Sequence, residues 1–223
     1  MSNSSLKKKD MTSISFWIIY MSLLATTLFL LVEKNLINKK WQLSITISIL
    51  VTFIASIHYY SMKNWWDKYK KNPIFYRYID WFLTVPLQII EFYIILSISE
   101  TVPSYLLVSL LTSSFLMVLF GFLGETGRMN RNVAFTLGIV MWLYIIYEIF
   151  FGVGAKIESK TTNKNVKLAF NVMKWIVTIG WSIYPLGYIL KNKWMSIVYN
   201  FGDLINKILF VGVIWYAASQ DSK

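Results

Sequence analysis

The sequence predicts an all-α bundle of seven transmembrane helices, and three observations lead there. Of its 223 residues, 56% are hydrophobic and 15% charged, too apolar a balance for a soluble domain of this length. Seven apolar stretches, at about 14–32, 43–62, 74–98, 105–123, 133–151, 168–190 and 194–218, each approach the ~20 residues needed to cross a bilayer. The connections are too short for an extramembrane domain, so residues 1–223 read as one seven-helix unit. Its odd number of spans puts the termini on opposite sides.

The first stretch follows MSNSSLKKKDMTSIS, which has a basic cluster but no clear small-residue cleavage site. The helix 14–32 is therefore expected to be retained, with a removed signal peptide as the alternative. The second, 43–62, holds His58, the only histidine of the chain. On sequence physics alone, a helix–helix hydrogen bond explains it as well as a functional role. The third, 74–98, carries RYIDWFLTVPLQIIEFY, with Pro86 placed to kink it. The fourth ends in FGFLGETG and the fifth contains WLYIIYEIF. Between the fifth and sixth, GVGAKIESKTTNKNVK (152–167) is polar and is expected to be a mobile loop. The sixth, 168–190, includes WSIYPLGY, and the seventh, 194–218, includes YNFGDLINK. Glu100, Glu125 and Glu148 lie near helix ends and read as interfacial structure, with part of a proton path as the alternative.

The net charge of +11 comes from basic residues at helix ends and in loops, not from one face or a recognition motif. Nucleic acid is thereby excluded as a partner, and the anionic headgroups of a lipid bilayer explain the charge. Cysteine is absent, which rules out disulfides, thiolate metal sites and cysteine nucleophiles. Lysine and arginine divide eleven to eight in favour of the N-terminal side, so the positive-inside rule leans weakly toward a cytoplasmic N-terminus.

Two groups of ionisable residues stand out from this apolar background. Lys207 lies inside the run 197–218, one turn after Asp203. An ammonium at bilayer depth costs at least ~2.5–3.5 kcal/mol and needs a reason. Lysine condenses with carbonyl compounds to Schiff bases; a structural Lys207–Asp203 ion pair is the plainer alternative. On the third helix Asp80, Thr84, Gln88 and Glu91 fall at about 0°, 40°, 80° and 20° around the axis, on one stripe, with Arg77 a turn before Asp80. Asp80 and Glu91 are separated by about 16 Å along the axis, which suits a proton relay. Polar helix–helix contacts are the alternative. A protonated Schiff base at Lys207 together with Arg77 would balance Asp80 and Asp203. Glu91, left without a cation, is expected to be a neutral acid at rest, because desolvation disfavours its ionised form.

RYIDWFLTVPL with Glu91, FGFLGETG, WLYIIYEIF, WSIYPLGY and YNFGDLINK together resemble the microbial rhodopsins, and among them the proteorhodopsins, over nearly the whole chain. The resemblance implies a light-driven outward proton pump, not an enzyme, with all-trans retinal bound to Lys207 as a protonated Schiff base. Asp80 would be the main counterion and proton acceptor, Asp203 the second counterion, Arg77 their neighbour toward the outside, and Glu91 the cytoplasmic proton donor. Thr84 would complete the Asp–Thr–Glu triplet of outward pumps. The polyene would lie between Trp81, Met117, Gly121, Trp142, Trp181, Tyr184 and Pro185. His58 would pair with Asp80 and make pumping depend on pH. Gln88 matches the blue-absorbing members, and the bulky Phe135 argues against a carotenoid antenna. The resemblance also implies an N-terminus outside the plasma membrane, against the weak charge count, and a pentameric or hexameric homo-oligomer. No metal is implied. A photosensor with the same retinal site, signalling to a partner protein, is the alternative.

Overall fold

A computed structural model describes residues 10–190 and 192–222. Among these residues there is no strand; nine α-helices run in the order α1 (Met11–Glu33), α2 (Gln42–Tyr69), α3 (Ile74–Leu96), α4 (Ser104–Glu125), α5 (Arg131–Phe150), α6 (Val153–Lys160), α7 (Lys164–Thr178), α8 (Ile183–Ile189) and α9 (Asn192–Gln220). Each of the first five packs against the next, and α9 closes the bundle against α1, α2, α7 and α8. Six helical segments are long and apolar enough to span a membrane; α7 and α8 together make the remaining crossing. The chain's basic cluster Lys7, Lys8 and Lys9, with Lys191 and Lys223, lies outside the described residues.

The buried interior is apolar toward one end, where Trp41, Ile45, Ile89, Phe92, Phe170, Met173 and Phe210 pack together. At the other end Phe16, Tyr59, Met62 and Trp66 form a second cluster. Large apolar residues such as Ile18, Phe29, Leu50, Leu83, Val140 and Leu209 face outward. In a membrane protein that surface meets lipid, and the backbone polar groups are satisfied inside each helix.

Two sequence expectations are corrected. The polar segment 152–167 is not a mobile loop: it forms α6 and the first turn of α7. Glu148 holds the junction, its carboxylate accepting from Val153 N (3.0 Å) and from the Tyr144 hydroxyl (3.2 Å). Asn163 then caps α7 by accepting from Asn165 N and Val166 N. Polarity marked this segment as surface, but surface helices are polar too. The stretch 168–190 is likewise not one helix. It breaks after Thr178 into a 3₁₀ turn, Gly180–Ser182, before α8. Pro185 can give no N–H to the Trp181 carbonyl and its ring crowds that carbonyl, which disfavours a regular helix there. Side chains from neighbouring helices occupy carbonyls in the last turn of α7 and in the 3₁₀ turn: Trp142 Nε1 donates to Val177 O (2.9 Å) and Asn206 Nδ2 to Gly180 O (2.8 Å).

Carboxylates tie both ends of the bundle. Asp221, just past α9, pairs with Lys40 (2.6 Å) and accepts from Trp41 Nε1 (2.7 Å), Asn163 Nδ2 (3.1 Å) and Asn165 Nδ2 (3.3 Å). One side chain thus joins the α1–α2 connection, the start of α7 and the end of α9. Burial alone would push its carboxyl up, but hydrogen bonds from Lys40, Trp41, Asn165 and Asn163 hold it below its usual value. At the opposite end Asp10 caps α1 through Ser13 N and binds Lys70 (2.6 Å) and Trp66 Nε1 (3.1 Å). There too burial opposes ionisation, and Lys70, Ser13 and Trp66 overcome it and lower the pKa.

Candidate retinal site and proton path

α9 and α3 bring the intramembrane charges together. Lys207, 1% exposed, places Nζ 2.5 Å from Asp80 Oδ2 and 3.1 Å from Asp203 Oδ2. The structural Lys207–Asp203 pair is therefore present, and Asp80 joins it from the facing helix. The two carboxylates differ in their surroundings. Asp203 also accepts from the Tyr59 hydroxyl (2.7 Å), the Tyr184 hydroxyl (2.8 Å) and Trp81 Nε1 (3.2 Å). Asp80 has only Lys207, and its Oδ1 has no hydrogen-bond partner among the described residues. Asp203 is thus saturated with donors, while Asp80 Oδ1 keeps its lone pairs free.

Arg77 is fully buried and forms no ion pair with either aspartate among the described residues. Its guanidinium donates to Asn200 Oδ1 (2.9 Å) and to the Tyr59 hydroxyl (3.4 Å), and Tyr59 passes the contact on to Asp203. It also stands over the Tyr199 ring (5.1 Å), where a cation is favoured. Tyr199 in turn donates to Glu125 Oε1. Glu125 is thus tied to the bundle interior through Tyr199.

Farther along α3, Glu91 is buried without a cation and accepts from the Ser44 hydroxyl. Thr84 Oγ1 bonds the Asp80 carbonyl of its own helix (3.0 Å). Gln88 is buried, and its Nε2 reaches the Asn206 carbonyl (3.5 Å). His58 is half-buried and bonds Ile54 O (2.8 Å); it stands within electrostatic reach of Asp80 but makes no hydrogen bond to it. The ring is turned back onto its own helix, so any His58–Asp80 pairing acts here through charge and not through a direct hydrogen bond.

Lys207 also lies on the wall of a cavity between the helices. Trp81, Gln88, Met117, Gly121, Trp142, Trp181, Tyr184 and Pro185 all line it, so every residue expected around the polyene does so. Tyr78, Val85, Phe135, Gly138, Tyr188 and Tyr199 complete much of the wall. Phe135 packs on Tyr188 at 5.2 Å between ring centroids. An apolar, aromatic chamber with a single amine on its wall fits a conjugated apolar aldehyde.

Sequence reasoning missed Tyr59, Asn200, Ser44 and Asn206. One signal was available for Asn200: at 100° per residue it shares a stripe about 60° wide with Asp203 and Lys207. The other three are neutral polar residues of a kind common in membrane helices, and only their partners set them apart.

Comparison with known proteins agrees with this arrangement. A family model described as "Bacteriorhodopsin-like protein" matches residues 10–220. The chain is 41% identical to a green-light absorbing proteorhodopsin of Gamma-proteobacterium EBAC31A08, over 97% of this chain and 90% of the relative. It is 40% identical to a blue-light absorbing proteorhodopsin of Gamma-proteobacterium Hot 75m4, over 96% and 88%. Among solved structures, a blue light-absorbing proteorhodopsin from Med12 superimposes with a TM-score of 0.83 at 42% identity, covering 94% of this chain and 98% of that one. The rhodopsin of Exiguobacterium sibiricum gives 0.83 at 31% identity, covering 95% and 97%. The seven crossings and the charged interior are accordingly those of a microbial rhodopsin, and the chain belongs to the bacteriorhodopsin-like family, among the proteorhodopsins.

Proposed function

We propose that this protein is a light-driven outward proton pump of the cell membrane, with its N-terminus outside. All-trans retinal, which Lys207 would hold as a protonated Schiff base, would supply a light-driven isomerisation at that nitrogen. The observation that carries the reading is the inequality of the two carboxylates facing Lys207 Nζ: Asp203 is saturated by Tyr59, Tyr184 and Trp81, whereas Asp80 has an oxygen without a donor. Asp80 takes the proton from the Lys207 nitrogen, and Asp203 remains ionised. With α1 entering from outside, α3 runs from outside to inside. Arg77 and Asp80 then lie toward the outer face and Glu91 toward the cytoplasm. Glu91, neutral and hydrogen-bonded to Ser44, returns a proton to the Lys207 nitrogen and refills from the cytoplasm, so direction follows from which carboxyl group the nitrogen meets.

Light-induced pH change in a suspension of retinal-supplied cells tests this reading. External acidification abolished by a protonophore is expected; an unchanged pH would instead favour a photosensor. Glu91→Gln should slow re-protonation at the Lys207 nitrogen by about 10²-fold, the usual worth of a positioned proton donor. Unchanged recovery in flash spectroscopy removes Glu91 from that role. Gln88, on the cavity wall, supports blue absorption, and Gln88→Leu should move the maximum to longer wavelength; a maximum that stays put rejects the tuning role. The exposed apolar belt is suited to lipid and to a pentameric or hexameric assembly, which analytical ultracentrifugation in detergent would test by mass.

A further inference from the structure

Asn206 precedes Lys207 in the chain and is buried, and its side chain reaches the interruption between α7 and α8. Its Nδ2 donates 2.8 Å to the Gly180 carbonyl. A Cβ on residue 180 would collide with Asn206 Oδ1, so the two residues are seated directly on each other and only glycine leaves the room. The main-chain carbonyl of Asn206 meets Gln88 Nε2 at 3.5 Å. One residue thus touches α3, the 3₁₀ turn and the peptide bond of Lys207.

We propose that Asn206 is a positioning residue that couples Lys207 to α7. A shift of the Lys207 backbone moves Asn206, and the amide hands that motion to Gly180, where the sixth crossing has left regular helical hydrogen bonding. α7 then swings about the turn. Its movement matters for proton return because Phe170 of α7 stands edge-on to Phe92, the neighbour of Glu91, with ring centroids 5.3 Å apart. Met173 and Val177 continue that buried packing toward the turn. The coupling rests on the proposed function. A side chain that merely satisfied its own polarity would have no kinetic consequence.

Two variants attack the link from opposite sides: Asn206→Leu keeps the volume and removes the donor, and Gly180→Ala pushes the Asn206 amide away. The chain contains no cysteine, so spin labels on Lys39→Cys and Lys164→Cys, both exposed at the Asp221 end, report the distance between α7 and the α1–α2 connection. Each variant should slow re-protonation at the Lys207 nitrogen by about tenfold, the rate equivalent of one net hydrogen bond. Each should also reduce the light-induced change in label distance. In the retinal-free chain, amide exchange across 179–184 should accelerate in Asn206→Leu. The double variant Gly180→Ala/Asn206→Ala relieves the collision without restoring the slowed step. Wild-type recovery and distance change in pigment-forming Asn206→Leu overturn the coupling, and Gly180→Ala decides alone if Asn206→Leu does not fold. A wild-type chain that takes up no retinal defeats the proposed function instead, and unchanged exchange across 179–184 then defeats the link as well.

Discussion

Lys207→Ala is expected to leave the protein colourless with added retinal. The loss should be complete, because Nζ is the one amine on the cavity wall and the described structure offers no substitute there. Removing it also strands Asp80 and Asp203 as buried carboxylates, and breaking a buried pair costs about 3–5 kcal/mol. A colourless alanine variant could therefore be an unfolded one. Lys207→Arg separates the causes: the guanidinium keeps the positive charge between the carboxylates but does not condense with an aldehyde. A helical, monodisperse arginine variant without a visible band, beside a coloured wild type, is the expected pair of results. A retained band in either variant, even a shifted one, places the attachment elsewhere.

Asp80→Asn is expected to stop transport, with light-driven acidification falling by at least ~10²–10⁴-fold, the range for loss of a positioned proton acceptor. The same change should shift the band to longer wavelength at high pH. A carboxylate 2.5 Å from the nitrogen holds positive charge at that end, and an amide lets the charge spread along the chromophore. At low pH the wild-type Asp80 is itself protonated, so the variant and the wild type should then absorb alike. Continued acidification by Asp80→Asn would transfer the acceptor role to Asp203. That outcome would contradict the hydrogen-bond inequality, since Asp203 already accepts from three other side chains besides Lys207.

The charged part of the site was readable before any coordinates. Lys207, Asp203, Asp80, Arg77 and Glu91 are conspicuous against helices that tolerate almost no charge, and helical periodicity aligns those of α3. The relative worth of the two aspartates was not readable, because it depends on Tyr59 of α2, Tyr184 of α8 and Trp81 of α3 converging on Asp203. The helix count was equally plain, but the break at Gly180 was not. Pro185 was read only as part of the pocket, and the carbonyls at the break are engaged by Trp142 and Asn206, which lie 35 and 26 residues away from them. The segment 152–167 was misread for a related reason. Its helicity depends on Glu148 turning back to Val153 N, a contact that hydropathy does not register.

The carboxylate ties at the two ends of the bundle have a consequence if the protein, as proposed, acidifies its own surroundings. Asp10 and Asp221 both have lowered pKa values in the fold. What each contributes is fully present above its unfolded value and fades only as pH falls through the lower folded one. In the proposed orientation and direction of pumping, the Asp10 cluster on the outer face would meet the expelled protons and stay charged well into acid. The Asp221 clasp would lie on the face depleted of protons and be drawn further from its own titration with every turnover. Sustained illumination should therefore strain neither fastening, so that the molecule's acid tolerance is set by its interior carboxylates and not by the ends that hold it shut.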